Sequence, residues 1–300
     1  MAATGSAEPV VRHFQLHYDA SWEELPPGAE ARMWAPLPQN NDFQKTGRLL
    51  ISPPLKVRVI EDELGNRLLY LEGEVPKNGK LDLTVAADVE RREMTLAELS
   101  SSSKPVDLER YLKPSSLVPV SGRVTDIIEH LEVPPTPLDS ARQLYDFVLD
   151  YMAYDKSNPG YGRGDSLFAC DARTGNCTDF HSLFSSLGRF RGIPVRFEIG
   201  YPLSPESEGE ISGYHCWAFF WIDEKGWVPV DISEADKEPT KAEYFFGNID
   251  PNRVSMSTGR DLLFQPQPQS GTVNYFVKPL LEVNGAKVKE SEFKVGFRDL

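Results

Sequence analysis

Cysteine is scarce in this chain: three residues in 300, Cys170, Cys177 and Cys216. An odd, small number cannot build a disulfide framework, so at least one thiol is free. No apolar run approaches the roughly 18 residues that a membrane-crossing helix needs, so no membrane association is expected. Positive charge is also in deficit. Lys and Arg number 32 against 45 Asp and Glu, a formal net charge of −13. Such a surface repels phosphate backbones and no basic patch interrupts it, so nucleic acid is not an expected partner. The opening "MAATGSAEPVV" lacks the basic and apolar regions of a signal peptide, which makes a cytoplasmic location the expectation. Hydrophobic residues are not lacking: at 40%, with 11% aromatics, they suffice for a sizeable core. The length allows one large domain or two ordinary ones.

The pattern changes partway along the chain. From about residue 10 to 98, short alternating stretches such as "VRHFQLHY", "KVRVIED", "RLLYLEGEV" and "KLDLTVAADV" are broken by Pro and Gly. They read as an antiparallel, sandwich-like β unit without catalytic residue types. "LSSSSKP", Leu99 to Pro105, reads as a linker. The expected division is therefore an N-terminal β unit with linker at 1–103 and a second part at 104–300. In the second part, Val124, Ile127, Ile128 and Leu131 fit a short helix. Thr136-Pro137 with Asp139 starts another, to about residue 152. Phe180, Leu183, Phe184, Leu187 and Phe190 lie on one face of a third helix, which Gly192 and Pro194 end. "PVRFEIGY", "GYHCWAFFWI" and "GWVPVDI" read as strands. The tail, with Asn284-Gly285 at a turn, reads as hairpins, and "YPLSPESEGE" as a flexible loop.

One cysteine is placed for chemistry. Cys177, in "GNCTDFHSLF", starts the third helix, where unpaired N–H groups and the helix dipole favour a thiolate. A thiolate nucleophile needs an imidazole to take and return a proton, and a third group to orient that imidazole. Of five histidines, His13 and His17 lie in the β unit, His130 ends a short helix, and His181 points along the helix of Cys177. His215, at the start of an apolar strand, is the better base. Asp231 sits in the apolar "GWVPVDI" and needs a partner there. A three-residue loop at 223–225, with Gly226 left-handed, would pair position 215 with 233 and leave Asp231 one diagonal away. Cys216 reads as a core thiol, Cys170 as a loop or core thiol, and Trp217, Phe219 and Trp221 as core. A zinc site from Cys170, Cys177, His181 and His215 has the wrong spacing, and no metal or cofactor is expected. In "GRGDS", Arg163 and Asp165 are expected to pair locally or line the cleft, not to mediate adhesion.

"GNCTDFHSLFSSLGRFRGIPVRFEIGY", "GYHCWAFF" and "GWVPVDISEA" together resemble the transglutaminase-like superfamily of papain-type cysteine enzymes. "DKSNPGYGRGDSLFACDARTGNC" and "YFFGNIDPNRVSMSTGRDL" resemble flanking stretches of its bacterial members. The resemblance implies an α+β fold, with a helix packed on an antiparallel sheet. It implies Cys177 as nucleophile, His215 as base and acid, and Asp231 as orienter. It also implies an oxyanion hole. The Cys177 N–H is one natural donor, and the best second candidate is Tyr161, with Tyr154 behind it. No counterpart of the animal enzymes' calcium-binding regions or C-terminal sandwiches is visible, which leans toward hydrolysis of amide bonds in a protein or peptide. The alternatives are protein-glutamine acyl transfer, or a binding or scaffold module that kept the fold without turnover.

Overall fold

The computed structural model describes residues 10–100 and 107–300. The expected linker therefore falls, from 101 onward, outside the described residues. The strands before it are β1 (Val11–Trp22), β2 (Glu30–Pro36), β3 (Gln44–Ser52), β4 (Lys56–Glu61), β5 (Arg67–Glu74) and β6 (Leu81–Arg92). Then come α1 (Arg123–Asp126), α2 (Pro137–Tyr151), β7 (Ala153–Tyr154), α3 (Ser166–Ala172), β8 (Thr174–Gly175) and α4 (Cys177–Phe190). They are followed by β9 (Val195–Pro202), β10 (Glu208–Glu210), β11 (His215–Ile222), β12 (Gly226–Val230), α5 (Ile232–Lys237) and β13 (Arg253–Thr258). The chain closes with β14 (Leu280–Val283), β15 (Ala286–Val288) and β16 (Glu292–Asp299). Among the described residues, no helix is long and apolar enough to cross a membrane.

Two five-stranded sheets, ordered β10-β16-β1-β6-β3 and β15-β14-β2-β5-β4, face each other across one core. Alternation makes them amphipathic. Along β6, Leu81, Leu83, Val85, Ala87 and Val89 are buried while their neighbours stay wet. The tail strands differ from the expected arrangement. They do not extend the second part: β16 pairs with β1, and β14 pairs with β2. The reason is register and edges. The hairpin at Asn284-Gly285 covers an edge that β2 would otherwise leave open. The acidic loop after Tyr201 is likewise not wholly irregular, since β10 pairs with β16.

The second part is α+β, a helix layer on the sheet β12-β11-β9-β13. Its centre is α4, buried from Cys177 through Gly188. The helix starts there because Asn176 caps it. The Asn176 side chain accepts the Thr178 N–H, and the Asp179 carboxylate accepts the Asn176 N–H at 2.9 Å. Phe180, Leu183, Phe184 and Leu187 then bury one apolar face. In α2, Thr136 caps with Pro137 in the first turn, as the sequence predicts.

Buried amides bolt β13 to the sandwich. Gln44 donates to the Ser255 carbonyl at 3.0 Å and accepts the Ser255 N–H at 2.8 Å. Asn66 does the same at Thr258, at 2.8 and 2.7 Å. Within the sheet, Gly200 faces His215 on one side and Ser255 on the other, beside a bulge in β13. A Cβ on Gly200 would stand 1.6 Å from the Val254 carbonyl oxygen. Gly200→Ala is expected to cost about 3 kcal/mol, because a backbone strand must move to admit the methyl group. A lowered urea midpoint at unchanged slope would show it; an unchanged midpoint would contradict the packing described.

Candidate active site

The hairpin of β11 and β12 sets the base and the carboxylate. Ala218 pairs with Val230 and Ile222 with Gly226, leaving Asp223–Lys225 as the loop. Gly226 has φ 79°, so the bulged three-residue loop forms, but the ladder ends at Ala218 and Val230 and residue 233 lies in α5, so the expected pairing of 215 with 233 does not occur. Asp231 lies one step past the strand rather than inside it, as the N-cap of α5. Its carboxylate accepts from His215 Nε2 at 2.7 Å, Arg253 Nη2 at 3.3 Å, Ser233 Oγ at 3.3 Å and the Glu234 N–H at 3.2 Å. These contacts satisfy a charge that is fully buried.

With Nε2 committed to Asp231, Nδ1 is the ring nitrogen left for Cys177. Burial disfavours the thiolate, but hydrogen bonds from Cys216 and His215, and the charge of His215, outweigh it. The Cys177 pKa is held well below the ordinary thiol value. Burial likewise opposes a charged His215, yet the Asp231 charge and hydrogen bond, with Cys177 behind them, raise its pKa to about 9. Asp231 is held below the usual carboxylate range against its own burial, by His215 first and then Arg253. The three groups form a buried series of alternating sign, thiolate, imidazolium, carboxylate.

Several partners escape the sequence pattern. His181 does bond locally, Nδ1–H to the Cys177 carbonyl at 2.7 Å. It also reaches across to accept the Ile232 N–H on Nε2 at 3.1 Å. It is thus a neutral strut between α4 and α5, and burial pushes its pKa down. Cys216 is core, fully buried, but its thiol also donates toward Cys177, and burial and the thiolate push its own pKa up. Alternation directs residues 215 and 216 to opposite faces of β11. Both nevertheless hydrogen-bond the Cys177 sulfur. Arg253, from β13, could not be tied to Asp231 by any local spacing.

Tyr154, Tyr214 and Tyr275 surround the thiol. Burial raises each hydroxyl pKa first, and the thiolate's charge adds to it. Asn176 Nδ2 donates to the Tyr214 hydroxyl at 3.1 Å. Tyr161, the expected second oxyanion donor, stands 40% exposed, and its hydroxyl makes no hydrogen bond among the described residues. Its loop turns backbone, not this side chain, toward α4. The Cys177 N–H is used by no acceptor among the described residues and remains the natural oxyanion donor. Cys170 lies apart, its thiol toward the Arg123 carbonyl at 3.9 Å. Donor atoms of His215, Asp231 and Glu234 lie within 4.8 Å of one another, a cation-sized group. Lys237 already pairs with Glu234 at 2.6 Å, and Arg253 with Asp231 at 3.3 Å.

Part of the chain, and its fold, are similar to known proteins. Residues 126–232 match the family model of the transglutaminase-like superfamily. An uncharacterised protein of Haemophilus influenzae is 28% identical, over 91% of this chain and 87% of its own. A crystal structure of a candidate cysteine protease from Cytophaga hutchinsonii superposes with a TM-score of 0.66 at 15% identity. That match covers 97% of this chain and 91% of the other, and shows a shared fold.

Proposed function

We propose, from the match of residues 126–232 to the transglutaminase-like superfamily, that the chain is a cysteine hydrolase of amide bonds. The buried relay from Cys177 through His215 to Asp231 carries this reading. The Cys177 thiolate attacks the amide carbonyl carbon of a protein or peptide. The carbonyl oxygen, now negative, takes the Cys177 N–H. The His215 imidazolium gives its proton to the departing nitrogen, the C–N bond breaks, and a thioester remains. Neutral His215 then takes a proton from water as its oxygen attacks the thioester. The acid leaves and the thiolate returns. Asp231 fixes the imidazole and supports its charge throughout.

The test is a casein peptide digest incubated in heavy-oxygen water with added cadaverine, read by mass spectrometry. The reading predicts heavy oxygen in new termini or in converted Gln and Asn side chains, absent with Cys177→Ala. Cadaverine incorporation without heavy oxygen would replace hydrolysis by acyl transfer. No Cys177-dependent product of either kind would favour a binding module.

A further inference from the structure

The loop before the nucleophile is clamped by its backbone. Gly162 and Gly164 donate their N–H groups to the two oxygens of Asp179, at 2.7 and 3.1 Å. One of those oxygens also accepts the N–H of Asn176, the residue before Cys177, at 2.9 Å. The carbonyls are held as firmly. Gly162 accepts from the Tyr275 hydroxyl at 3.0 Å. Arg163 accepts from Asn274 Nδ2 at 2.8 Å and Arg260 Nη2 at 3.2 Å, and Gly164 from Arg260 Nη2 at 2.9 Å. Gly162 and Gly164 have φ of 83° and 65°, where glycine is favoured. A Cβ on Gly164 would lie 2.8 Å from Ser182 Oγ, and one on Gly162 3.1 Å from Asn176 Nδ2. The loop is pressed against the first turns of the nucleophile helix.

Between the two glycines, the one side chain that the clamp carries is Arg163, and it is exposed. No carboxylate among the described residues pairs with it. The nearby Asp165 does not do so, contrary to the local pairing that the sequence allows. Its carboxylate caps α3, accepting the Leu167 and Phe168 N–H groups at 3.0 and 3.3 Å. Two lysines lie against Tyr154. Lys237 and Lys156 stand 4.2 and 5.5 Å from the ring of Tyr154, a residue that feels the thiolate's charge. Lys237 is already paired with Glu234 at 2.6 Å, which leaves Arg163 as the exposed cation of this loop without a carboxylate partner among the described residues.

Resting on the proposed hydrolase reading, we propose that Arg163 is a specificity residue, whose guanidinium takes a substrate carboxylate adjacent to the amide that is cleaved. A planar fork on a fixed backbone suits bidentate carboxylate binding. The carboxylate could belong to an acidic side chain or to a chain terminus, and three alkylating probes separate these sources. They are bromoacetyl-glutamine amide (neutral), bromoacetyl-glutamate amide (side-chain carboxylate) and bromoacetyl-glutamine (terminal carboxylate). All alkylate a thiol by the same displacement of bromide. At least one anionic probe is expected to label Cys177 about fivefold faster than the neutral one. That preference should vanish in Arg163→Met, survive in part in Arg163→Lys, and persist in the remote Lys45→Met. The proposal is overturned if no anionic probe is preferred, or if Arg163→Met leaves the preference intact. Failure of all three probes to label Cys177 would instead overturn the hydrolase reading, and this inference with it.

Discussion

His215→Ala is expected to slow iodoacetamide labelling of Cys177 at pH 6 by about a hundredfold or more. The sign follows from what acts on the sulfur. Burial raises the thiol pKa, and the hydrogen bonds of Cys216 and His215, with the charge of His215, lower it. His215 supplies two of those contributions, so without it burial prevails and the pKa climbs toward or above the ordinary thiol value. Each unit of climb removes nine-tenths of the remaining thiolate at pH 6. The same change bears on turnover. Acylation needs thiolate and imidazolium together, so amide hydrolysis should fall as pH rises through about 9, the His215 pKa. Alkylation, which needs only the thiolate, should not fall there. Mass spectrometry mapped to Cys177 separates the two limbs. Equal labelling of wild type and His215→Ala at pH 6 would remove the ion pair from the account.

Asp231→Ala is expected to destabilise the protein by about 3–5 kcal/mol. Asp231 is the counter-charge for His215 and for Arg253, both buried. Its carboxylate also holds Ser233 and the Glu234 N–H at the start of α5. Alanine leaves a buried guanidinium beside a capless helix. It also removes the main influence that raises the His215 pKa, so burial drives the imidazole neutral and the thiol reprotonates. Asp231→Asn keeps the shape and some hydrogen bonds. It should lose less stability than alanine but as much low-pH labelling. Urea unfolding and labelling, measured on both variants, separate the structural from the electrostatic effect. A change below about 1 kcal/mol for the alanine variant would mean that Arg253 and His215 find other partners.

The nucleophile helix was legible because its start and face are written locally. Asn176, Asp179 and the apolar stripe lie within a few turns of one another. The parity of the β11–β12 hairpin was legible too, since period-two alternation and one left-handed glycine fix it. The tail strands were legible as strands but not in their partners. Whether β16 joins β1 or β13 depends on edges nearly the whole chain apart, which no local pattern carries. The short helix α3 was passed over because its cap, Asp165, lies within the adhesion-like "GRGDS". Arg253, Cys216 and His181 escaped for a similar reason. Arg253 reaches Asp231 from β13, while Cys216 and His181 share β11 and α4 with His215 and Cys177, and burial, not spacing, brings each to the site.

The most direct test is the pH profile of Cys177 alkylation by iodoacetamide in the wild-type protein, from pH 5 to 9. A thiolate held by His215 and Cys216 predicts fast labelling that is nearly flat from pH 6 to 8. A rate that climbs tenfold per pH unit up to the ordinary thiol pKa of about 8.5 would contradict it.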